Sequence, residues 1–224
     1  MKRKRILIIF VFIIIAVLFF KNYIFSNNNE LKIPAIQVVK TNDYKPTHVP
    51  LLVNSENKAP DELPNDMVLV KVIDYVKTLN TDILLDKEAI IMLKEMFNAA
   101  ADVGYTEFRV TEGYRTEEYQ RALYDSAANK SLVALPGHSE HQTGLAVDIS
   151  YNGINIENSK QGKWLMANAY KYGFILRYPK NKTHITGFPY EPWHYRYVGQ
   201  PHAEYIHDNG LCLEEYIKII QEDL

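Results

Sequence analysis

The chain has little cysteine and no excess of charge of either sign. Cys212 is the single cysteine among 224 residues, which excludes an intramolecular disulfide and cysteine-rich structural zinc sites. Any metal must therefore be held by histidine and carboxylate side chains. The formal net charge of −2 lacks the basic excess of a nucleic-acid-binding surface, so we expect no nucleic-acid partner. Cys212 itself is interpreted as a packing residue in an apolar C-terminal helix.

A long apolar run is found at the N-terminus. Basic residues 2–5 precede an uninterrupted apolar stretch from Ile6 to Phe20, and the pattern extends to Phe25. No small-residue cleavage site or nearby cysteine follows, which favours an uncleaved membrane anchor over a cleaved signal peptide. Basic clusters stay in the cytoplasm, so we expect a single-pass cell-membrane protein whose folded part is extracytoplasmic. The predicted organisation is an anchor at 1–25, a polar tether at 26–50 and one domain at 51–224.

Helices and strands alternate without a regular βαβ rhythm. The strongest helical pattern follows Asp86 and stops at Gly104. Its predicted buried face comprises Ala89, Ile90, Leu93, Met96, Phe97, Ala100 and Ala101. Further helices are predicted at 116–127, 159–172, 201–208 and 213–221, and strands at 105–111, 145–150 and 174–178. The predicted fold class is α+β, with a small, mostly antiparallel sheet covered by helices and the functional site in a cleft.

Two segments, SEHQTGLAVDIS and EPWHYRYVG, supply the parts of a hydrolytic metal site. His141, Asp148 and His194 are two imidazoles and a carboxylate, a ligand set that suits catalytic zinc and leaves one coordination position for water. Glu191 is placed to act as a base beside that water. Taken singly, each of these residues has an ordinary surface role, and His48, His138, His184, His202 and His207 are expected to keep such roles.

The spacing within each segment sets a backbone requirement. Gly144 allows the chain to bend between His141 and Asp148. Glu191 and His194 are three residues apart, so in a flat strand their side chains would face opposite ways. We therefore predict a backbone irregularity near Pro192 and Trp193.

The combination of GYR, Tyr119-Gln120, PGHSEHQTGLAVDI and YEPWHYRYVG resembles the VanY type of D,D-carboxypeptidase. That zinc peptidase family includes the VanX dipeptidases, the VanXY enzymes and the peptidoglycan L,D-carboxypeptidases. The likeness extends over nearly all of the chain from about residue 51. It implies one zinc ion per chain, bound by His141, Asp148 and His194, with Glu191 as catalytic acid/base, Arg115 stabilising the oxyanion, and Gln120 and Ser139 lining the substrate pocket.

The activity that this resemblance implies is removal of the C-terminal D-Ala from peptidoglycan pentapeptide stems, linked to glycopeptide (vancomycin) resistance. Two alternatives stay open. The first is an L,D-carboxypeptidase that acts on tetrapeptide stems, and the second is a non-catalytic cell-wall-binding module. The expected partners are peptidoglycan precursor stem peptides and, through the anchor, the cell membrane; an obligate protein partner is not evident.

Overall fold

The computed structural model describes residues 49–63 and 67–222. The predicted anchor, and the predicted tether up to residue 48, lie outside these residues. Among the described helices, none is both long and apolar enough to cross a membrane.

Two antiparallel sheets form the framework of the described residues. The strands are β1 (Leu69–Lys71), β2 (Leu84–Asp86), β3 (Phe108–Glu112), β4 (Ala146–Tyr151), β5 (Phe174–Leu176) and β6 (His194–Tyr197). β1 pairs with β2, and the other four strands form a sheet in the order β3-β4-β6-β5.

Helices surround the four-stranded sheet in the described part of the chain. The α-helices are α1 (Lys87–Asp102), α2 (Glu117–Ser126), α3 (Lys160–Asn168), α4 (Thr183–Thr186), α5 (His202–Asp208) and α6 (Leu213–Glu222). Short 3₁₀ helices lie at Val72–Asp74, Lys130–Leu132, Glu140–Thr143 and Ala169–Tyr172. The α+β prediction with a small antiparallel sheet is confirmed.

Helix α1 begins where the sequence predicts it. The Asp86 side chain accepts hydrogen bonds from the backbone N–H groups of Glu88 and Ala89, which caps the first turn. The buried face contains Ala89, Ile90, Leu93, Met96 and Ala100. Phe97 is half-buried and stacks on Phe108 with ring centroids 4.7 Å apart. Ala101 is exposed, contrary to the prediction, and the helix ends one residue later, at Asp102.

Strand β3 starts later than the sequence predicts. β3 begins at Phe108 because Glu107 has a φ of 67°, a left-handed conformation that cannot continue an extended strand. In β4, Val147 and Ile149 are fully buried in the main core, while Asp148 faces away from it. This alternation, which the sequence predicts, puts Asp148 on the face that carries the site.

The C-terminal helices are confirmed, and they form a second core with the edge strand. Ile175 of β5 packs with Ile206 of α5 and with Leu213 and Ile217 of α6. Cys212 is buried as predicted, but it lies immediately before α6 rather than inside it. This second core packs α6 against strand β5.

Candidate metal centre

Strand pairing brings the first two candidate ligands together. Asp148 of β4 lies directly opposite His194 of β6 in the antiparallel register, and both side chains point away from the main core. Directly opposed residues have Cβ atoms about 4.5–5.5 Å apart, which is close enough for two side chains to share one ion. The register of β4 on β6 is therefore what joins these two distant parts of the sequence.

The third candidate ligand comes from the turn before β4. His141 lies in the 3₁₀ helix Glu140–Thr143, which ends at Gly144 with a φ of 69°. Because left-handed backbone is costly for residues with a Cβ atom, glycine suits this bend. The bend that the sequence predicts at Gly144 is confirmed, and it turns His141 back toward Asp148.

The three side chains form a compact cluster. One ligand atom from each of His141, Asp148 and His194 lies within 4.8 Å of the other two. The Oδ1 atom of Asp148 is 3.5 Å from Nε2 of His141 and 3.1 Å from Nδ1 of His194. The two imidazole rings meet edge to face, with centroids 4.9 Å apart.

Hydrogen bonds on the far side of each ring select the nitrogen that faces the cluster. Nδ1 of His141 lies 2.7 Å from the carbonyl oxygen of Gly113, so Nδ1 carries the proton and Nε2 keeps its lone pair. Nε2 of His194 lies 3.4 Å from Oε2 of Glu140, which leaves Nδ1 to face the cluster. Gly113 is required here, because a Cβ atom at this position would collide with the carbonyl oxygen of Leu84.

The cluster fits a zinc ion. Ligand atoms about 2.0–2.1 Å from a tetrahedral ion lie about 3.3 Å from one another, which agrees with the two separations around Asp148. Oδ1 of Asp148 is buried and accepts no hydrogen bond from the described residues. Such an oxygen needs a positive partner. The two imidazole nitrogens that face the cluster and this carboxylate oxygen are a donor set that a divalent cation can bind.

Burial and charge set the protonation of these ligands. Burial by itself would raise the pKa of Asp148, but the charges of His141 and His194 outweigh it and hold that pKa well below its usual range. Burial lowers the pKa of His194, but Asp148 and Glu140 outweigh burial and raise it to about 9. The cluster without metal therefore holds a proton on His194 near neutral pH.

Glu191 lies beside the cluster because the chain turns there. The His194 N–H donates to the Glu191 carbonyl oxygen at 3.2 Å across a turn formed by Pro192 and Trp193. The predicted irregularity is confirmed. Oε2 of Glu191 lies 3.8 Å from Nδ1 of His194. Burial raises the pKa of Glu191 to about 7, with His194 opposing and Asp148 contributing, so this carboxylate can exchange a proton near neutral pH.

Arg115 is held in place by partners on three sides. Its backbone N–H donates to the His141 carbonyl oxygen at 3.0 Å, Nη1 donates to Oε1 of Gln120 at 2.7 Å, and Nη2 pairs with Oε2 of Glu112 at 3.2 Å. Gln120 is fully buried, and its Nε2 donates to the Ala134 carbonyl oxygen at 2.6 Å. Both polar ends of Gln120 thus contact protein. Gln120 therefore orients Arg115, and it also lines the cleft beside the cluster.

A cleft of about 290 Å³ contains all of these groups. Ser139, Gln120, Arg115 and Glu191 line it together with the three candidate ligands. The sequence did not indicate the rest of its wall, which consists of Glu140 and of aliphatic and aromatic residues: Leu123, Leu132, Val133, Ala134, Tyr178, Phe188 and Trp193. A somewhat larger cleft of about 340 Å³ beside Asp86 and Tyr197 holds none of the candidate ligands, so its volume alone does not make it a site.

The other described histidines lie away from the cluster. Nδ1 of His138 is 2.8 Å from the Asn54 carbonyl oxygen, and Nδ1 of His202 is 2.6 Å from the Tyr216 hydroxyl. His207 stacks on Tyr170 with ring centroids 3.7 Å apart. His184 lies in α4, and His48 falls outside the described residues.

Glu140 has a place in the site that the sequence analysis missed. Its carboxylate is fully buried and contacts the ring of His194, although 54 residues separate the two in sequence. The available signal was weak, since a glutamate next to a candidate ligand on a turn is ordinarily a surface charge.

Several known proteins are similar to this chain in sequence and in fold. The VanY family model, described as D-alanyl-D-alanine carboxypeptidase, matches residues 82–200. The YodJ protein of Bacillus subtilis (strain 168) is 40% identical over 209 residues, which cover 87% of this chain and 75% of YodJ. A D-alanyl-D-alanine carboxypeptidase of Enterococcus faecium is 38% identical over 179 residues, covering 77% of this chain. The chain spans 58% of that enterococcal protein's length.

Solved structures agree. The LdcB LD-carboxypeptidase matches with a TM-score of 0.67 and 44% identity, covering 75% of this chain and 84% of LdcB. A mutant of the vancomycin resistance D,D-pentapeptidase VanY from a VanB-type resistance cassette, in complex with Zn(II), matches with a TM-score of 0.63 and 39% identity. That match covers 75% of this chain and 97% of the VanY chain. On this evidence the chain belongs to the VanY family of D-alanyl-D-alanine carboxypeptidases, which are zinc-peptidase hydrolases.

Proposed function

We propose that the chain is a zinc-dependent D,D-carboxypeptidase that removes the C-terminal D-Ala from peptidoglycan pentapeptide stems and binds one zinc ion. The observation that carries the proposal is the convergence of His141, Asp148 and His194, with Glu191 beside them in the same cleft. Structural zinc sites are usually closed by a fourth protein ligand and need no base. The cluster found among the described residues has three ligands and a base, which favours catalysis over a non-catalytic wall-binding module.

Glu191 is the proposed acid/base. Zinc, when bound, supplies a Lewis acid that polarises the scissile carbonyl and lowers the pKa of a coordinated water toward ~7. The Glu191 carboxylate accepts a proton from the attacking water and then delivers it to the nitrogen of the departing D-alanine. Its pKa of about 7, raised by burial, suits both steps.

Arg115 is the proposed donor to the carbonyl oxygen on which negative charge develops. Its position is fixed before substrate arrives, because Gln120 and Glu112 each hold one end of the guanidinium. A donor that is already oriented needs no reorganisation during the reaction, and losing one such donor typically costs ~10²–10³-fold in rate. Ser139, which lines the same cleft, is a further proposed polar contact to the substrate.

The apolar wall fits a substrate that ends in small side chains. Leu132, Val133 and Ala134 provide aliphatic surface, and Phe188 and Trp193 provide aromatic surface. Methyl groups of a D-Ala-D-Ala terminus can pack against these residues without leaving polar groups unpaired. An L,D-carboxypeptidase acting on tetrapeptide stems is the second candidate, because the LdcB LD-carboxypeptidase is 44% identical to this chain over the aligned residues.

One product assay separates the two candidates. The full chain in detergent is incubated with a pentapeptide stem and, separately, with a tetrapeptide stem, and the products are weighed by mass spectrometry. We expect loss of one alanine from the pentapeptide, and no loss when a chelator is present. Release of alanine from the tetrapeptide alone would assign the L,D activity instead.

We also propose that residues 1–25 anchor the chain in the cell membrane with the catalytic domain on the extracytoplasmic side, where peptidoglycan precursors are displayed. The basic tip and apolar run support this placement. Protease added to intact protoplasts should digest the domain and spare the anchor.

The proposed link to glycopeptide resistance predicts that expression in a susceptible host raises the vancomycin concentration needed to stop growth.

A further inference from the structure

Glu140 is a fully buried carboxylate with three charged or ionisable neighbours. It is 2% exposed, and the side chains of Arg177 and Arg196 beside it are 0% and 1% exposed. A buried carboxylate of this kind is costly unless its charge is matched and its lone pairs are bonded. Arg177 and Arg196 supply that charge, and the second carboxylate oxygen is left to face the ring of His194.

The two arginines leave one carboxylate oxygen for His194. Nε of Arg177 donates to Oε1 of Glu140 at 2.7 Å, and Nη1 of Arg196 donates to the same Oε1 at 2.8 Å. Oε2 is then directed to Nε2 of His194, at 3.4 Å. The carboxylate therefore cannot rotate away from the ring without breaking two charged hydrogen bonds.

The arginines are themselves fixed by parts of the chain far from the cleft. Nη1 and Nη2 of Arg177 pair with both carboxylate oxygens of Glu214 in α6, at 2.9 and 2.6 Å. Nη2 of Arg196 donates to the Leu51 carbonyl oxygen at 2.7 Å. Arg196 also lies two residues after His194 on β6, so the two side chains share one face of the strand.

We propose that Glu140 is the positioning residue of the metal ligand His194, and that Arg177 and Arg196 hold Glu140 for that purpose. The Oε2 atom keeps the proton of His194 on Nε2, so that the lone pair of Nδ1 faces the metal. A carboxylate behind a ligand imidazole also makes the imidazole a stronger donor. Glu140 is adjacent to His141, so one turn of 3₁₀ helix supplies one ligand and orients the other.

This inference rests on the proposed zinc site, and its test measures metal binding rather than turnover. The full chain is stripped of metal, and its zinc affinity is measured by competition with a chromophoric chelator. Glu140→Gln keeps the shape of the side chain but removes its charge, and we expect zinc affinity to fall about ten- to a hundredfold. The matched control is Glu215→Gln in α6, which removes the partner of Lys182 and leaves Glu140, Arg177 and Arg196 untouched. Its zinc affinity should equal that of the wild type within the error of the titration, even if its unfolding temperature falls.

A second measurement uses the wild-type chain and does not depend on whether Glu140→Gln folds. With ¹¹³Cd in the site and ¹⁵N-labelled histidine, the metal should couple to Nδ1 of His194 and to Nε2 of His141. Coupling through Nε2 of His194 would overturn the inference, as would an unchanged zinc affinity in folded Glu140→Gln. A wild-type chain that binds no zinc would overturn the proposed function and this inference with it.

Discussion

Two carboxylates contact the ring of His194 from opposite sides, the half-buried Asp148 and the fully buried Glu140, and their charged neighbours differ. On the cleft side, Oδ1 of Asp148 faces Nδ1 of His194 at 3.1 Å and accepts no hydrogen bond from the described residues. On the interior side, both oxygens of Glu140 are engaged, and two buried arginines contact Oε1. Arginines supply the positive charge beside Glu140, whereas Asp148 faces the ionisable imidazole of His194.

The charged neighbours of Glu140 and Asp148 account for the difference between a structural and a functional carboxylate. Burial acts to raise the pKa of Glu140, but Arg177 and Arg196 outweigh it and hold that pKa well below its usual range. The protein itself thus supplies the counter-charge for Glu140. For Asp148, ionisable imidazoles are the nearby source of positive charge, and a metal that binds them would replace their protons. A metal can therefore bind at Asp148 by exchanging with protons, whereas the arginines beside Glu140 cannot be exchanged in this way.

The largest expected effect comes from exchanging the two carboxylates for amides. Asp148→Asn should reduce zinc binding and turnover to the level of chelator-treated wild type, because the anionic ligand is lost. Glu140→Gln should instead cost the metal-free chain about 3–5 kcal/mol of stability, because it leaves buried guanidinium charge without its partner. Zinc content by mass spectrometry and urea unfolding of the metal-free variants measure the two effects. A metal-free Asp148→Asn chain less stable than Glu140→Gln would break the comparison.

Glu191→Gln should separate chemistry from metal binding within the cleft cluster. The amide keeps the size of the side chain but cannot accept and return a proton, so kcat should fall about 10²–10⁴-fold. Zinc content should match the wild type, since Glu191 is not a proposed ligand. Product release from the pentapeptide stem, with zinc measured on the same sample, tests both parts. Normal turnover in this variant would remove Glu191 from the mechanism.

Arg115→Lys should impair turnover by about 10²–10³-fold while leaving zinc binding intact. Lysine keeps the charge, but it cannot hold Gln120 and Glu112 with a planar group and still face the substrate. The matched control is Arg121→Lys, because Arg121 is an exposed partner of Glu117 on α2. The control should turn over pentapeptide at the wild-type rate, and equal losses in both variants would contradict the assigned role.

The smallest effect is a pH dependence of zinc affinity. The pKa of His194 is raised to about 9, so below that pH zinc must displace a proton from His194. Affinity should rise about tenfold per pH unit between pH 7 and 9 and level off above. The same proton stabilises the metal-free fold in full below 6.5, the usual pKa of a histidine, and this stabilisation is lost as pH rises through about 9. Chelator competition and unfolding across this range measure both trends, and a flat affinity profile would contradict them.

The sequence by itself determined the local elements and the identity of the candidate ligands. Helical spacing predicted α1 and its cap at Asp86, and Thr116 predicted the start of α2, because caps and periodicity depend on residues only a few positions apart. The three-residue spacing of Glu191 and His194 predicted the turn at Pro192 for the same reason. The sequence did not predict the β1–β2 pair, whose strands are three residues each and too short for a readable period.

The tertiary structure alone decided how those residues meet. The register of β4 on β6 places Asp148 opposite His194, and the contacts of Glu140 cross 37 residues to Arg177 and 56 to Arg196. Local patterns carry no information about such distant pairs, since a buried glutamate and a surface glutamate look alike in sequence. Which ring nitrogen of His194 faces the cleft follows from the position of Glu140 behind it, and that position exists only once the sheet and α6 have packed.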